Sequence, residues 1–117
     1  PDVCFYAETT PGAFVYISRP SYNRALGGGW TTSGGTSLAA SCVCALCARI
    51  LLSEPPGLEK NRLLPYLYAC AGASVYNEPQ YCFDDVETGS NGKYFAKTGW
   101  DFCTGLGSPI ARQLILG

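Results

Sequence analysis

Apolar and polar residues alternate differently in three parts of the N-terminal half. Residues 13–18 (Ala-Phe-Val-Tyr-Ile-Ser) are rich in β-branched and aromatic side chains, which predicts a strand. Residues 19–29 are predicted to form an irregular loop, and residues 30–33 a second short extended segment. From residue 36 to residue 52 apolar side chains fall on every face of a helix. This pattern predicts a buried helix.

The C-terminal half carries more turn-forming residues. A second helix is predicted over residues 58–70, with Pro65 imposing a kink or a break. Residues 77–86 are predicted to be loop. The polar stretch 84–107 contains four aromatic residues, so we expect it to pack onto the protein. A short C-terminal helix is predicted over residues 110–116, with the preceding proline in its first turn.

Composition limits the class of protein. With 117 residues the chain is one domain or part of one, and 14 glycines and 8 prolines favour a loop-rich α/β protein. A net charge of −1 without a basic cluster argues against a nucleic-acid partner. We expect no transmembrane segment, because the longest apolar stretch, residues 38–52, is short and contains Arg49. A start at Pro1 without a signal-peptide pattern predicts a processed product or an excised segment.

The chain has 7 cysteines and no histidine. Cys42, Cys44 and Cys47 lie on different faces of the predicted helix, which favours small buried thiols over a zinc site. Cys82 and Cys103 lie in turn-rich polar sequence, and we expect a disulfide between them. Cysteine usage therefore favours an oxidising compartment.

Ser37 is the candidate nucleophile. It follows Gly34-Gly35-Thr36, a tight turn that runs into the first predicted helix, so its hydroxyl is expected at the positive end of that helix. Backbone N–H groups there can hold an oxyanion, although a serine at this position can equally be a helix-capping residue. Without histidine, any base must be a carboxylate or come from another segment, and a carboxylate base works at acidic pH.

Asp85 and Asp101 form a candidate cation site. They bracket a loop that contains the turn Asn91-Gly92, and two carboxylates brought together repel unless a cation such as calcium neutralises them. The spacing does not fit an EF-hand, because the required glycine and glutamate cannot both be matched. The alternative is that these aspartates cap turns.

Several motifs together resemble one family. They cover nearly the whole chain in the family's order: Pro1-Asp2-Val3; Gly34-Gly35-Thr36-Ser37-x-Ala39-Ala40; Phe83-x-Asp85-Val86-x-x-Gly89-x-Asn91-Gly92; and Gly99-Trp100-Asp101-x-x-Thr104-Gly105-Leu106-Gly107-Ser108-Pro109. This set is similar to the C-terminal part of the sedolisins, the serine-carboxyl peptidases that include the lysosomal tripeptidyl peptidase.

The resemblance implies a fold, an activity and a metal. The fold would be the C-terminal portion of a subtilisin-like α/β domain, a parallel sheet flanked by helices, with a loop-rich calcium-binding end. The family cleaves peptide bonds at acidic pH with a serine nucleophile, a glutamate base supported by an aspartate, and another aspartate at the oxyanion. Ser37 matches the nucleophile. The calcium ligands would be the carboxylates of Asp85 and Asp101 and the carbonyls of Val86, Lys97 and Gly99, although the family usually has glycine at position 97.

Other parts of the family's site are missing from this sequence. The family's base and its aspartate are spaced Glu-x-x-x-Asp, and no glutamate of this chain has an aspartate four residues later. We therefore expect residues 1–117 to be inactive alone and to be completed by the N-terminal portion of the same precursor, acting on peptides or proteins in a lysosome, another acidic compartment or outside the cell. Ser41 replaces a family proline. The alternative is a catalytically inactive sedolisin-like domain that serves as a structural or binding module.

Overall fold

The structure is a computed structural model that describes residues 1–18, 29–56, 58–59, 62–73 and 82–116. Much of the predicted 19–29 loop, part of the predicted 58–70 helix and residues 77–81 of the predicted 77–86 loop lie outside these residues. The described elements are, in chain order, β1 (Ala13–Ile17), β2 (Gly29–Ser33), α1 (Thr36–Ser53), α2 (Leu63–Ala73), β3 (Phe83–Asp84), β4 (Ser108–Pro109) and α3 (Ala111–Leu116). The protein is therefore a mixed helix and strand structure, consistent with the α/β class.

The four described strands form two antiparallel pairs. β1 pairs with β2 in a register that places Tyr16 opposite Trp30, and the two rings meet edge to face with centroids 5.5 Å apart. β3 pairs with β4 over two residues each. Among the described residues there is no parallel sheet, so the subtilisin-like sheet stays a prediction.

The residues fall into two compact units, and the smaller, Tyr6–Cys42, contains the β1–β2 hairpin and the start of α1. Its interior turn is built from close backbone contacts. A Cβ on Gly12 would lie 2.9 Å from the Ser33 carbonyl carbon, and a Cβ on Gly34 would lie 2.6 Å from the Glu8 carbonyl carbon. Only glycine allows the chain to approach so closely at these two positions.

One face of this hairpin is exposed and aromatic. Phe14, Tyr16 and Trp30 are 79%, 61% and 74% exposed. Because Tyr16 pairs directly with Trp30 and Phe14 lies two residues from Tyr16, all three side chains project from the same side of the ribbon. The hairpin therefore presents a continuous apolar face among the described residues.

The larger unit, Pro1–Phe5 with Val43–Gly117, holds the hydrophobic core. Its buried apolar residues come from α1, α2, β3 and α3: Ile50, Tyr66, Leu67, Phe83 and Leu114. The Tyr66 hydroxyl donates a hydrogen bond to the Leu114 carbonyl at 2.9 Å, so the polar end of this core residue is satisfied. The core thus joins elements that are distant in sequence.

α1 differs from its prediction in burial. It covers the predicted residues, yet Ile50 is its one buried residue, and Leu52 is 77% exposed. By length and composition alone α1 could cross a bilayer, with a mean hydropathy of 1.7, as core helices of soluble proteins also could. The prediction that this helix is buried is wrong, because the other described elements cover little of the surface of α1.

Two further element predictions are wrong, one for a local reason and one because of a distant contact. α2 begins at Leu63, so Pro65 lies in its first turn, where a missing N–H breaks no intrahelical bond and no kink is needed. Residues 83–84 are a strand and not loop, because they pair with Ser108–Pro109. A contact so distant in sequence leaves no signal in the local pattern.

Candidate functional site

Ser37 is the second residue of α1. The Gly35 carbonyl accepts the first hydrogen bonds of the helix, from Leu38 N–H at 3.0 Å and Ala39 N–H at 3.4 Å. Gly35 has a φ of +94°, and its N–H donates to the Ala7 carbonyl at 2.6 Å. The glycine turn therefore sets where the helix begins, and the predicted position of Ser37 at the helix start is confirmed.

The Ser37 side chain is exposed. Within the described part of the chain its hydroxyl makes no hydrogen bond, so it does not act as a helix cap there. Its N–H is among the first four of the helix, which have no intrahelical acceptor. Both polar groups that a serine nucleophile needs are thus available to a ligand, while its role as nucleophile stays a prediction.

Asp101 occupies the centre of a tight loop and is 2% exposed. Its Oδ1 accepts hydrogen bonds from Cys103 N–H and Thr104 N–H, each at 2.7 Å, and its Oδ2 accepts one from Lys97 N–H at 3.0 Å. The Thr104 hydroxyl lies 3.2 Å from both oxygens. The loop is closed by paired backbone hydrogen bonds between Asp101 and Gly105.

These contacts keep Asp101 ionised. Desolvation by burial opposes the charge, but hydrogen bonds from the N–H groups of Thr104, Lys97 and Cys103 and from the Thr104 hydroxyl outweigh it and lower the pKa of Asp101. A carboxylate with a lowered pKa stays ionised over more of the acidic range than an ordinary aspartate. It can therefore serve as a cation ligand at acidic pH.

Asp85 is bonded on one oxygen only. Its Oδ2 accepts a hydrogen bond from Gly99 N–H at 2.6 Å, whereas its Oδ1 is buried and has no hydrogen-bond partner among the described residues. Buried polar atoms in proteins are nearly always paired, and a bound ion can be the partner of a carboxylate oxygen. The orphaned oxygen therefore fits a cation at this position.

The short segment 97–99 donates a hydrogen bond to each of the two carboxylates. Lys97 donates its N–H to Asp101 and Gly99 donates its N–H to Asp85, so both aspartates are bound to residues two apart. The calcium ligands that the family resemblance implies are the carbonyl oxygens of these two residues and of Val86, which directly follows Asp85. Two pairs of predicted ligand residues are thus in contact, Lys97 with Asp101 and Gly99 with Asp85, and in both pairs the contact is made by an N–H group and not by the predicted carbonyl, so the calcium ligands stay a prediction.

A contact to the N-terminal segment could not be predicted from the sequence. The Trp100 indole N–H donates to the Pro1 carbonyl at 3.2 Å, the Tyr68 hydroxyl donates to an Asp2 carboxylate oxygen at 2.9 Å, and Leu106 N–H donates to the Asp2 carbonyl at 2.8 Å. The segment is therefore fastened to the Asp101 loop. In the sequence Pro1-Asp2-Val3 is only a motif, and no local signal indicates its contact.

The cysteines form neither a disulfide nor a metal cluster. All seven lie in described parts of the chain and none forms a disulfide, so the predicted Cys82–Cys103 bond is not supported. Turn-rich sequence around two cysteines says nothing about the distance between them, which decides whether they can bond. Cys44 is exposed, against the prediction of three buried thiols on α1. No three His, Cys, Asp or Glu side chains gather among the described residues, so a cation at Asp85 and Asp101 would also need backbone carbonyls.

The fold and this geometry describe an α/β segment with a serine at a helix start and an acidic loop. The chain is 36% identical to kumamolisin from Bacillus sp. (strain MN-32) over 123 aligned residues, which cover 98% of this chain and 18% of kumamolisin. No protein-family model matches the chain. The chain thus spans less than a fifth of this relative's length. The match supports similarity to the sedolisins, of which kumamolisin is one.

Proposed function

We propose that the chain is the C-terminal part of an acid-acting serine-carboxyl peptidase of the sedolisin family, with Ser37 as its nucleophile. The observation that carries this proposal is the similarity to kumamolisin over nearly the whole chain. The exposed hydroxyl of Ser37 in the first turn of α1 supports it. The complete domain would have a subtilisin-like sheet, to which this chain contributes the C-terminal portion.

The proposed chemistry divides between this chain and the remainder of the domain. Ser37 Oγ attacks the carbonyl carbon of the scissile peptide bond and loses its proton to a carboxylate base. The Ser37 N–H donates to the oxyanion that forms. The base, its supporting aspartate and the oxyanion aspartate lie on the N-terminal portion of the same precursor, because this chain has no Glu-x-x-x-Asp spacing.

The exposed apolar surface supports a larger assembly. α1 and the hairpin leave Phe14, Trp30 and Leu52 more than 70% exposed, a larger apolar surface than a soluble domain usually leaves in water. The N-terminal portion of the precursor would cover such surfaces. We therefore propose that this portion is the chain's partner and that a peptide or protein is the substrate.

Calcium is the proposed metal of the acidic loop. Asp85 and Asp101 would supply carboxylate oxygens, and Val86, Lys97 and Gly99 would supply carbonyl oxygens, a set of hard oxygen ligands that suits this ion. The unpaired Oδ1 of Asp85 supports the assignment. Bound calcium would neutralise the two carboxylates and brace the last loop of the domain. An acidic compartment, lysosomal or extracellular, is the proposed location.

An inactive structural or binding module is the second candidate. Two observations favour it: three cysteines lie on the helix that carries Ser37, and Ser41 stands where the family has proline. The two functions differ in whether a chain carrying the catalytic carboxylates is associated with this one. Intact mass spectrometry under native and denaturing conditions, with N-terminal sequencing of every component, decides this. A partner carrying Glu-x-x-x-Asp supports the peptidase, and partners that lack it favour the module.

The peptidase itself is tested by cleavage of peptides at acidic pH. Ser37→Ala should lower kcat/KM by at least about 10³-fold, since it removes the attacking atom, and should leave assembly intact. Ser41→Ala, an exposed serine one turn further along α1, is the matched control and should change the rate by less than about twofold. A wild-type assembly that never cleaves peptides at low pH contradicts the peptidase.

Calcium binding is tested by thermal unfolding. Adding a chelator should lower the melting temperature, because an ion bound at about 100 times its Kd stabilises the folded state by about 2.7 kcal/mol. Asp101→Ala should remove this sensitivity. The exposed carboxylate of Asp84, next to the site but not assigned to it, provides the control variant Asp84→Asn. A melting temperature unaffected by chelator argues against the calcium site.

A further inference from the structure

Thr104 makes more contacts with the Asp101 carboxylate than any other described residue. Its N–H donates to Oδ1 at 2.7 Å, and its hydroxyl lies 3.2 Å from both Oδ1 and Oδ2. The hydroxyl has one proton, so it cannot donate fully to both oxygens at once. Because the Thr104 hydroxyl is close to both oxygens, it fixes the plane of the carboxylate, whichever oxygen accepts its hydrogen bond.

The two oxygens of Asp101 are unequally occupied. Oδ1 accepts two short hydrogen bonds from backbone N–H groups, those of Cys103 and Thr104, each at 2.7 Å. Oδ2 accepts one backbone N–H, from Lys97, and otherwise meets only the shared hydroxyl. Oδ2 therefore has fewer and longer contacts with donors than Oδ1, so it is the oxygen with more room for a cation.

We infer that Thr104 is a positioning residue for the proposed cation site, holding the Asp101 carboxylate so that Oδ2 is the oxygen presented to the ion. This inference rests on the proposed calcium site. Asp85 shows the same division, since one of its oxygens is held by Gly99 N–H and the other is buried and unpaired. Groups that hold a ligand residue in place commonly affect metal affinity by roughly 10- to 100-fold.

The test is a titration of the full chain with Ca²⁺, monitored by calorimetry. A parallel titration uses Tb³⁺ in place of Ca²⁺ and is monitored by the Tb³⁺ luminescence that is excited through Trp100. Thr104→Val removes the hydroxyl at nearly constant volume and should weaken Ca²⁺ binding by about tenfold or more. Thr104→Ser keeps the hydroxyl and should restore the affinity to within about threefold. Thr88→Val makes the same change at an exposed position of the same polar stretch, at a residue not assigned to the site, and should leave the affinity unchanged.

The outcomes separate positioning from structural support. If Thr104→Val lowers the melting temperature in chelator but binds Ca²⁺ like wild type, the inference is overturned and the calcium site stands. If wild type does not bind Ca²⁺, the proposed calcium site fails and the inference fails with it. Should Thr104→Val not fold, the wild-type Thr104 amide resonance decides: it should shift during the Ca²⁺ titration with the Kd measured by calorimetry, and an unshifted resonance overturns the inference.

Discussion

Ser37 and Asp101 are both placed by glycine-rich turns, yet their surroundings differ. Ser37 is exposed and its hydroxyl has no partner in the described part of the chain, whereas Asp101 is 2% exposed and its carboxylate is surrounded by hydrogen-bond donors. The donors to Asp101 come from residues within four positions of it, so that loop organises itself. The groups that would act with Ser37 must come from elsewhere. Local contacts are enough to build the loop around Asp101, whereas Ser37 has no partner of its own within its turn.

Gly107→Ala should have the largest effect on stability. Gly107 has a φ of +90°, and an added Cβ would meet the backbone of residues 84 and 85, including the Asp84 carbonyl carbon at 2.9 Å. Backbone atoms cannot easily move aside. We therefore expect the free energy of unfolding, measured in urea, to fall by at least about 3 kcal/mol. Gly35→Ala is the matched variant in the Ser37 turn, because Gly35 has a similar φ of +94° with nothing within 4 Å of the added Cβ. Gly35→Ala should lower the free energy of unfolding by about 1–2 kcal/mol. Equal losses would show that the acidic loop is no more tightly packed than the serine turn.

Asp101→Asn should have the second-largest effect on stability. Asparagine keeps one oxygen to accept the N–H groups of Cys103 and Thr104, but its NH2 group would face the Lys97 N–H and leave that donor without an acceptor. We expect the melting temperature measured in chelator to fall by roughly 5–10 °C. Ser37→Ala should leave it within about 2 °C, since the exposed hydroxyl has no partner there. A fall of similar size in both variants would contradict the difference between the two regions.

Tyr66→Phe should have the smallest effect and lies outside both regions. Removing the hydroxyl loses its bond to the Leu114 carbonyl, at a cost of about 1 kcal/mol near pH 7. Desolvation by burial raises the pKa of Tyr66, and the interaction of its side chain with Cys70 adds to the effect. Because the folded pKa is raised, this contribution is fully present below the ordinary tyrosine pKa of about 10 and is lost as pH rises above it.

The measurement is urea unfolding of wild type and Tyr66→Phe from pH 8 to pH 11. Wild type should lose more stability than the variant over the alkaline part of this range, so that the two curves converge. Parallel curves would mean that Tyr66 ionises as easily in the folded protein as in the unfolded chain. Calcium affinity should be unchanged in this variant, which makes it a control for the acidic loop.

Patterns within a few residues predicted their local structure. The strand over 13–18, the helix that starts at residue 36 and the Asn91-Gly92 turn are all present, and the Asn91 side chain closes that turn by accepting N–H bonds from Lys93 and Tyr94. Each depends on backbone preferences and side-chain contacts made within one turn of chain. The position of Ser37 at a helix start could therefore be predicted.

Tertiary structure alone decided the rest. The fastening of Asp2 by Tyr68 and Leu106, the pairing of residues 83–84 with 108–109 and the missing Cys82–Cys103 bond all depend on contacts between distant residues. The exposure of α1 depends on what packs against it, which its own apolar pattern cannot specify. The sequence by itself determined which residues are candidates for a nucleophile or a cation site, and where the chain turns. Only the tertiary structure decided that Asp85 keeps an unpaired buried oxygen while Asp101 is enclosed, because burial is a property of neighbours brought together by folding.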